Sequence, residues 1–325
     1  MILTVTEERW PIAGAFTLSR GSKTEARVVV AEIGDGAHRG RGEAVPYPRY
    51  GESPEGVVAE IESVRAAIEG GADRERLFHL LAPGAARNAL DCALWDLEAK
   101  RSGRRAWTLA GLARLDPVKT AYTLSFAAPE AMAEAARAAA GRPLLKLKIG
   151  GPDDLDRVEA VRAAAPRTRL IVDANEGLDM DSLRRLTPAF ARLGVKAVEQ
   201  PLPAAEDAVL EGYESPVLLC ADESIHTRAE LPACARRYGG VNIKLDKTGG
   251  LTEALALKAE ALALGLEIMA GCMVSTSLAM APAMLIAQGA RFVDLDGPLL
   301  LAKDREPGLR FLGSMIEPYG PEVWG

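Results

Sequence analysis

The 325-residue chain has no close pair of cysteines: Cys92, Cys220, Cys234 and Cys272 are scattered along it. That excludes a disulfide framework and a cysteine zinc site, and it suits a reducing compartment. There is no excess of positive charge either; a net charge of −6 argues against nucleic acid or an anionic membrane as the main partner. No G-x-S-x-G segment is present, which removes the nucleophile elbow of serine hydrolases. The three histidines, His38, His79 and His226, do not fall at strand ends, and His226 reads as a surface-loop residue near a barrel mouth. The start, MILTVTEERWPIAG, lacks a basic segment followed by an apolar run, so no secretory leader is expected. Residues 268–288 carry no charge, but Gly271, Ser275, Thr276, Ser277, Pro282 and Gln288 interrupt them. A spanning helix needs about 20 predominantly apolar residues, so a short strand and a buried helix are expected instead. The expectation is a soluble, cytoplasmic protein.

What is present reads as two units. Hydrophobic residues at 48% and charged residues at 26% are ordinary for a globular protein, and the length favours about two domains. ILTVTEERW and EARVVVAEI alternate apolar and polar residues with period two, as half-buried strands do; SRGSKTE between them reads as a polar loop carrying Arg20 and Lys23. A second loop, GEAVPYPRYGES, places Tyr47, Arg49 and Tyr50 on an exposed turn. Ser53 then serves as N-cap candidate, with Pro54 at the first helical position and Glu55 in the first turn. ARNALDCALWDLEAK continues the helical spacing. Residues 1–110 thus read as an α+β unit.

From about residue 111 to 299 strands and helices alternate. TAYTLSF, with Thr123, is the first strand, and PEAMAEAARAAA the helix after it. LLKLKIG, LIVDAN, AVEQPL, LLCADES and VNIKLDKTGG follow, then EIMAGCMVS and ARFVDLDGP. Eight strands with intervening helices make a closed parallel barrel rather than an open sheet. The tail, about 300–325, is expected to pack back on the first unit and add to its sheet.

Charged residues recur at the C-terminal ends of these strands, one set per strand–helix unit: Lys146 and Lys148, Asp173, Glu199, Asp222, Lys244. In a parallel barrel that rim carries the active site. Any one strand-end acid could simply cap the next helix. Three acids in register, interleaved with lysines, instead make an oxygen-only set suited to a hard cation such as Mg²⁺. Lys146 and Lys148 lie two apart, so they point the same way, and buried ammonium groups are rare without partners. Lys244 arrives from the sixth strand, so a substrate over the cation would meet an amine on either face. A free lysine titrates near 10.4; a useful base sits near 7–8, a difference of roughly 4 kcal/mol that a cation and a dry site can supply. The chemistry implied is proton abstraction next to a carboxylate, with the charge of the enediolate stabilised by the cation and Lys146.

K-x-K, D-A-N, E-Q-P, A-D-E-S and N-I-K-L-D-K-T-G-G in this order, with ARNALDCALWDLEAK before them, resemble the muconate lactonizing subgroup of the enolase superfamily. The resemblance implies a modified TIM barrel, (β/α)7β, with an N-terminal α+β capping domain. It implies Asp173, Glu199 and Asp222 as ligands of one Mg²⁺ per subunit, Lys148 and Lys244 as the acid/base pair, and Lys146 as a holder of the substrate carboxylate. VDLDGP resembles the D-x-D segment of dipeptide epimerases, where Asp294 and Asp296 would bind a free ammonium; two carboxylates two apart suit a cation on physical grounds as well. RGSKTEARVVV and GEAVPYPRYGES resemble the bacterial L-Ala-D/L-Glu epimerases, with Lys23 where an arginine is usual and Arg20 able to share its role. GCMVSTS resembles the seventh-strand segment lining the substrate backbone, which brings in Cys272 and Met273. The implied activity is epimerisation of a dipeptide, L-Ala-L/D-Glu from peptidoglycan breakdown. An N-acylamino acid racemase, o-succinylbenzoate synthase or cycloisomerase would share most of this site, and a barrel that binds a metal or small acid without turnover is the non-enzymatic rival. Oligomeric state is not fixed by the sequence, and a homo-oligomer stays open.

Overall fold

Side chains along a β-strand alternate between two faces, and two sets of strands use that alternation differently. The computed structural model describes residues 1–18, 21–151 and 153–325. Strands β1 (Ile2–Leu18), β2 (Gly21–Gly34) and β3 (Arg39–Ala44) form an antiparallel sheet with β2 in the middle. Helices α1 (Pro54–Ser63), α2 (Arg65–Glu69), α3 (Arg74–Leu80) and α4 (Ala85–Ser102) follow, then the single turn α5 (Ala106–Leu109). Ser53 caps α1 by accepting from Gly56 N, with Pro54 at the first position.

β2 is covered on both faces. Val29, Ala31 and Ile33 pack with α1 and α4, whereas Val28 and Val30 join the core that runs into the barrel. Helix α4 is shared in the same way, with Leu90 and Leu94 on one side and Cys92, Trp95 and Ala99 on the other. This explains why its polar residues are buried yet paired. Arg87 donates to Thr248 O and Gly249 O, Asn88 to Asp246, and Trp95 Nε1 to Thr252 Oγ1.

The second sheet contains eight parallel strands. After the two-residue strand β4 (Val118–Lys119) come β5 (Tyr122–Leu124), α6 (Pro129–Ala138), β6 (Leu144–Lys148), α7 (Leu155–Ala164), β7 (Arg169–Asp173), α8 (Met180–Arg192) and β8 (Val195–Glu199). Then come β9 (Leu218–Ala221), α9 (Leu231–Arg237), β10 (Gly240–Ile243), α10 (Leu245–Thr248), α11 (Leu251–Ala263), β11 (Glu267–Gly271), α12 (Ser277–Ala287), β12 (Phe292–Asp294) and α13 (Gly297–Leu300). The crossover after β8 holds only a 3₁₀ turn, Asp207–Leu210. β5 to β12 pair in sequence order, and Ala121 N donates to Val293 O at 2.7 Å to bring the two ends together. The result is a nearly closed (β/α)7β barrel with an α+β capping domain. The uncharged segment divides between β11 and α12, and among the described residues no helix is long and apolar enough to cross a membrane.

Two expectations are corrected. The segment around Lys23 is strand, not loop: Lys23 pairs with Phe16 and Ser22 with Thr17 in the hairpin ladder. Thr17 and Ser22 share a hydroxyl hydrogen bond of 3.0 Å, and Thr17 docks on the barrel through Phe126 N and Ser125 Oγ, which extends the ribbon over the mouth. The tail does not extend the first sheet either. Its strands β13 (Phe311–Leu312) and β14 (Met315–Ile316) pair with β4, and the chain ends against β3 and α4. There Trp324 is fully buried, its indole donating to Arg41 O and Cys92 O.

The contact between β3 and α4 leaves no room for a side chain at Gly42, where a Cβ would run into the Ala89 carbonyl. Because the obstacle is backbone, Gly42→Ala is expected to destabilise by about 3 kcal/mol, the upper end of overpacking costs. The check is a lowered midpoint of urea unfolding with an unchanged slope.

Candidate active site

Inward positions two residues apart build the barrel interior in layers. The floor is apolar: Ala121, Leu144, Ile171, Ala197, Cys220, Met269 and Phe292 form one cluster. Two residues on, the inward side chains are Thr123, Lys146, Asp173, Glu199, Asp222 and Asp294, with Asn242 and Gly271 completing the ring on β10 and β11. One step further toward the rim stand Lys148, Lys244 and Asp296. All of these side chains are buried, Asp173 and Glu199 completely.

The charges are arranged as alternating contacts. Lys146 Nζ lies 3.0 Å from Asp173 Oδ2, 2.7 Å from Glu199 Oε2 and 2.7 Å from Asp294 Oδ2. Lys148 holds Asp173 Oδ2 at 2.5 Å, and Lys244 holds Asp222 Oδ2 at 2.6 Å. The two rim lysines therefore grip different acids from strands four places apart in the eight-strand order. Asp296 Oδ2 accepts from Thr123 N at 2.6 Å, so the D-x-D pair meets Lys146 on one side and β5 on the other.

Burial governs the titration of these groups. Burial, then repulsion from Asp173, pushes Glu199 up to about 7; burial and Asp294 do the same for Asp296, also to about 7. Burial acts to raise Asp173 too, but Lys148 and Lys146 outweigh it and hold that carboxyl below its usual range. For Lys244 burial alone would lower the value; Asp222 and Glu199 prevail and keep the ammonium well above it.

Among the described residues no three acidic, histidine or cysteine side chains already ring a single metal ion; the lysines hold the carboxylates instead. The donor set nonetheless fits a hard cation. It offers oxygens only, Asp294 Oδ1 is buried without a hydrogen-bond donor, and Glu199 Oε2 has its ion pair but no aligned hydrogen bond. Asp173, Glu199 and Asp222 could hold such a cation once the ammonium groups release them.

The backbone immediately after two of these acids is strained. Asn175, Glu176 and Gln200 have φ of 43°, 69° and 33°, a conformation that costs about 1–2 kcal/mol per residue without a glycine. Gln200 is held there by Asp222 N and Ser224 N donating to Oε1, and by Nε2 donating to Leu202 O, Ser224 Oγ and Tyr238 OH. Glu176 receives both arms of Arg49, at 2.7 and 2.9 Å, from the capping loop.

Tyr47 and Tyr50 are half-buried rather than exposed. Burial, then the charge of Asp222, drives the Tyr50 phenol far up, which places this ring by the acids. His226 stacks edge-on against Tyr50 with centroids 4.5 Å apart, so it is a half-buried support of the loop rather than a free surface residue. Lys23, exposed on the ribbon, lies 5.2 Å from the Tyr47 ring centroid. Cys272 and Met273 are half-buried just past β11. Arg20 lies outside the described residues.

Two groups escaped the sequence reading. Asn242 donates to Glu199 Oε1 at 2.8 Å, and Lys247 holds Asp222 Oδ1 at 2.6 Å. Asn242 carried a usable signal, since it stands two before Lys244 and shares its face. Gly271 belongs with it, because a Cβ there would collide with Asn242 Oδ1.

Known proteins resemble the chain along most of its length. Residues 130–300 match the family model "Enolase C-terminal domain-like", and residues 1–111 match the "Mandelate racemase / muconate lactonizing enzyme, N-terminal domain". The chain belongs to the enolase superfamily. Within that superfamily it is 49% identical to an L-Ala-D/L-Glu epimerase of Escherichia coli (strain K12), over 94% of this chain and 96% of the relative. It is 44% identical to an N-acetyl-D-glutamate racemase of a Pseudoalteromonas species, over 92% and 95%. A solved enolase family member from Agrobacterium tumefaciens with homology to dipeptide epimerases, bound to sodium and L-Ala-L-Glu, superposes with a TM-score of 0.98 at 55% identity, covering 99% of both chains. A dipeptide epimerase from Enterococcus faecalis complexed with Mg and L-Leu-L-Tyr does so with 0.91 at 26% identity, covering 99% of this chain and 98% of that one.

A carboxyl at about 7 must lose its proton before it binds a metal. Below that pH Glu199 is protonated, so with Glu199 as a ligand its proton alone should lower divalent-cation affinity by up to about tenfold per pH unit on acidification. Calorimetric titrations between about pH 6 and pH 8.5 check the slope.

Proposed function

We propose that the chain is a Mg²⁺-dependent dipeptide epimerase that moves a proton off and back onto the α-carbon of the C-terminal residue, with L-Ala-L/D-Glu as substrate. The observation that carries this reading is the pair of rim lysines, Lys148 on β6 and Lys244 just past β10, each gripping a different end of the acid row. In this reading Asp173, Glu199 and Asp222 bind one Mg²⁺ per chain. A metal held there would supply positive charge beside the substrate carboxylate and the acids that face Lys244, which would acidify the α-proton and ease loss of the lysine's proton.

The chain's own groups do the rest. The neutral lysine on one face of the α-carbon accepts the proton, and the ammonium on the other face donates one, which inverts the centre. The reverse reaction exchanges the two roles. Lys146 keeps its charge and holds the carboxylate as negative charge moves onto it. Asp294 and Asp296 receive the free ammonium of the dipeptide, Thr123, Cys272 and Met273 line its backbone, and Tyr50 helps keep water from the amine that must stay neutral. Lys23, with Arg20, meets the acidic side chain; a lysine there gives a single charged contact rather than a bidentate fork, so some tolerance of other side chains follows. In this reading the dipeptide comes from peptidoglycan breakdown and is met in the cytoplasm. The reading calls on neither nucleic acid nor membrane, and it leaves a homo-oligomer open.

The rival with specific support is racemisation of an N-acylated glutamate, given the Pseudoalteromonas relative. Such a substrate has no ammonium, so it gives Asp294 and Asp296 nothing to bind. Asp296→Asn keeps an acceptor for Thr123 N and should weaken kcat/KM for L-Ala-L-Glu by tenfold or more, consistent with about 1.5–3 kcal/mol for a hydrogen bond to a charged group. It should leave N-acetylglutamate unaffected. Equal loss on both substrates would favour the racemase.

Incubation with Mg²⁺ in D₂O provides the direct test. L-Ala-L-Glu should take up deuterium at the glutamate α-carbon and epimerise. Lys148→Ala and Lys244→Ala should each lower epimerisation by at least about 10³-fold, within the range for general bases, while one stereoisomer still exchanges in each variant. No exchange from any dipeptide by the wild type, or full epimerisation by either variant, would contradict the assignment.

A further inference from the structure

The short helix α10, which follows Lys244, carries a second lysine that the chemistry above does not use. Lys247 is 1% exposed, more deeply buried than either rim lysine. Its ammonium donates to Asp222 Oδ1 at 2.6 Å, to Asn242 O at 3.0 Å and to the main-chain oxygen of Asp222. A buried ammonium with three protons and three oxygen acceptors is fully satisfied, and the arrangement is rigid. Two of those acceptors belong to one residue, so Lys247 ties the Asp222 side chain to its own backbone and blocks rotation of the carboxylate. That leaves Oδ2, the oxygen that Lys244 contacts. Asn242 treats Glu199 in the same manner, taking Oε1 and leaving Oε2 toward Lys146.

We propose that Lys247 is a positioning residue for the cation site, fixing Asp222 so that a single carboxylate oxygen is presented. The proposal deepens the epimerase reading and rests on it for the place of the cation. Lys247 touches no reacting atom in this scheme. Its effect can be told from that of its charge by sign. A buried positive charge beside a ligand repels a divalent cation, so a role through charge alone means that removing Lys247 tightens binding. A role through orientation means that removal weakens it.

The experiment titrates Mg²⁺ alone into the full-length wild type, Lys247→Met and Lys247→Arg by calorimetry, with a metal-free thermal melt of each. Loss of an outer ligand-orienting contact typically weakens metal binding by 10–100-fold. The expected order of affinity is wild type, then Lys247→Arg, then Lys247→Met, with the methionine variant at least tenfold weaker while its melt stays cooperative. Unchanged or tighter Mg²⁺ binding by folded Lys247→Met overturns the proposal. Should that variant fail to fold, the arginine variant decides: it keeps the charge but not the three-acceptor geometry, so affinity equal to wild type also overturns it. Deuterium exchange by the wild type is scored separately. If exchange is absent but the affinity order holds, the epimerase reading falls and the role of Lys247 stands.

Discussion

Neutralisation of charge inside a nearly dry barrel is the constraint on which this molecule depends. Five carboxylates, Asp173, Glu199, Asp222, Asp294 and Asp296, lie within a few residues of the strand ends, none of them more than 4% exposed. Burying one such ion costs several kcal/mol even after relaxation, so each survives only by touching a cation or a firm donor. Lys146, Lys148, Lys244 and Lys247 are the reply, and they are shared rather than assigned in pairs. Lys146 alone touches three acids, and Asp222 is held by two lysines. Sharing leaves Asp173 and Asp222 a second ammonium if one is lost, whereas Lys146 is the one lysine on Glu199 and Asp294 among the described ion pairs. The left-handed backbone at Asn175, Glu176 and Gln200 fits the same logic, as local strain is tolerated where surrounding hydrogen bonds over-determine the turn.

Much of this was legible because barrel strands are short and strictly alternating. Lys146 and Lys148 share a face, and the strand-end acids follow floor residues two positions earlier. The eight-strand alternation and the helix cap at Ser53 could be read for the same reason: local rules decide them. What escaped was decided elsewhere. Lys247 sits on a one-turn helix whose direction depends on the contact with α4, and spacing cannot reveal it. The ribbon around Lys23 reads as a loop because its composition is polar, yet pairing across the hairpin and docking on residues 125 and 126 keep it extended. The tail's preference for β4 over the first sheet is equally tertiary. Arg49 and Glu176 lie 127 residues apart in sequence, beyond any local pattern.

The two units are joined through shared interiors rather than a simple interface. β2 sends alternate residues into two cores, and α4 is buried on both sides, with Arg87, Asn88 and Trp95 bonded to the segment that begins at Lys244. Asp246, which accepts from Val45 N and Asn88, belongs to this joint, and burial pushes its carboxyl to about 7. The rim lysine on that side is therefore set partly by the capping unit, and local opening there would reach the chemistry directly.

The described end of the β1–β2 ribbon, around Thr17 and Lys23, stands apart from this lattice. It reaches the barrel through the Thr17 backbone on Ser125 and Phe126, and its lysine rests by an aromatic ring rather than among the acids. If Lys23 meets the substrate side chain as proposed, a substitution in the ribbon would alter that contact while leaving the ion pairs of Lys146, Lys148 and Lys244 in place. Selectivity and turnover would then rest on separate parts of the chain, one a surface ribbon and the other the barrel rim.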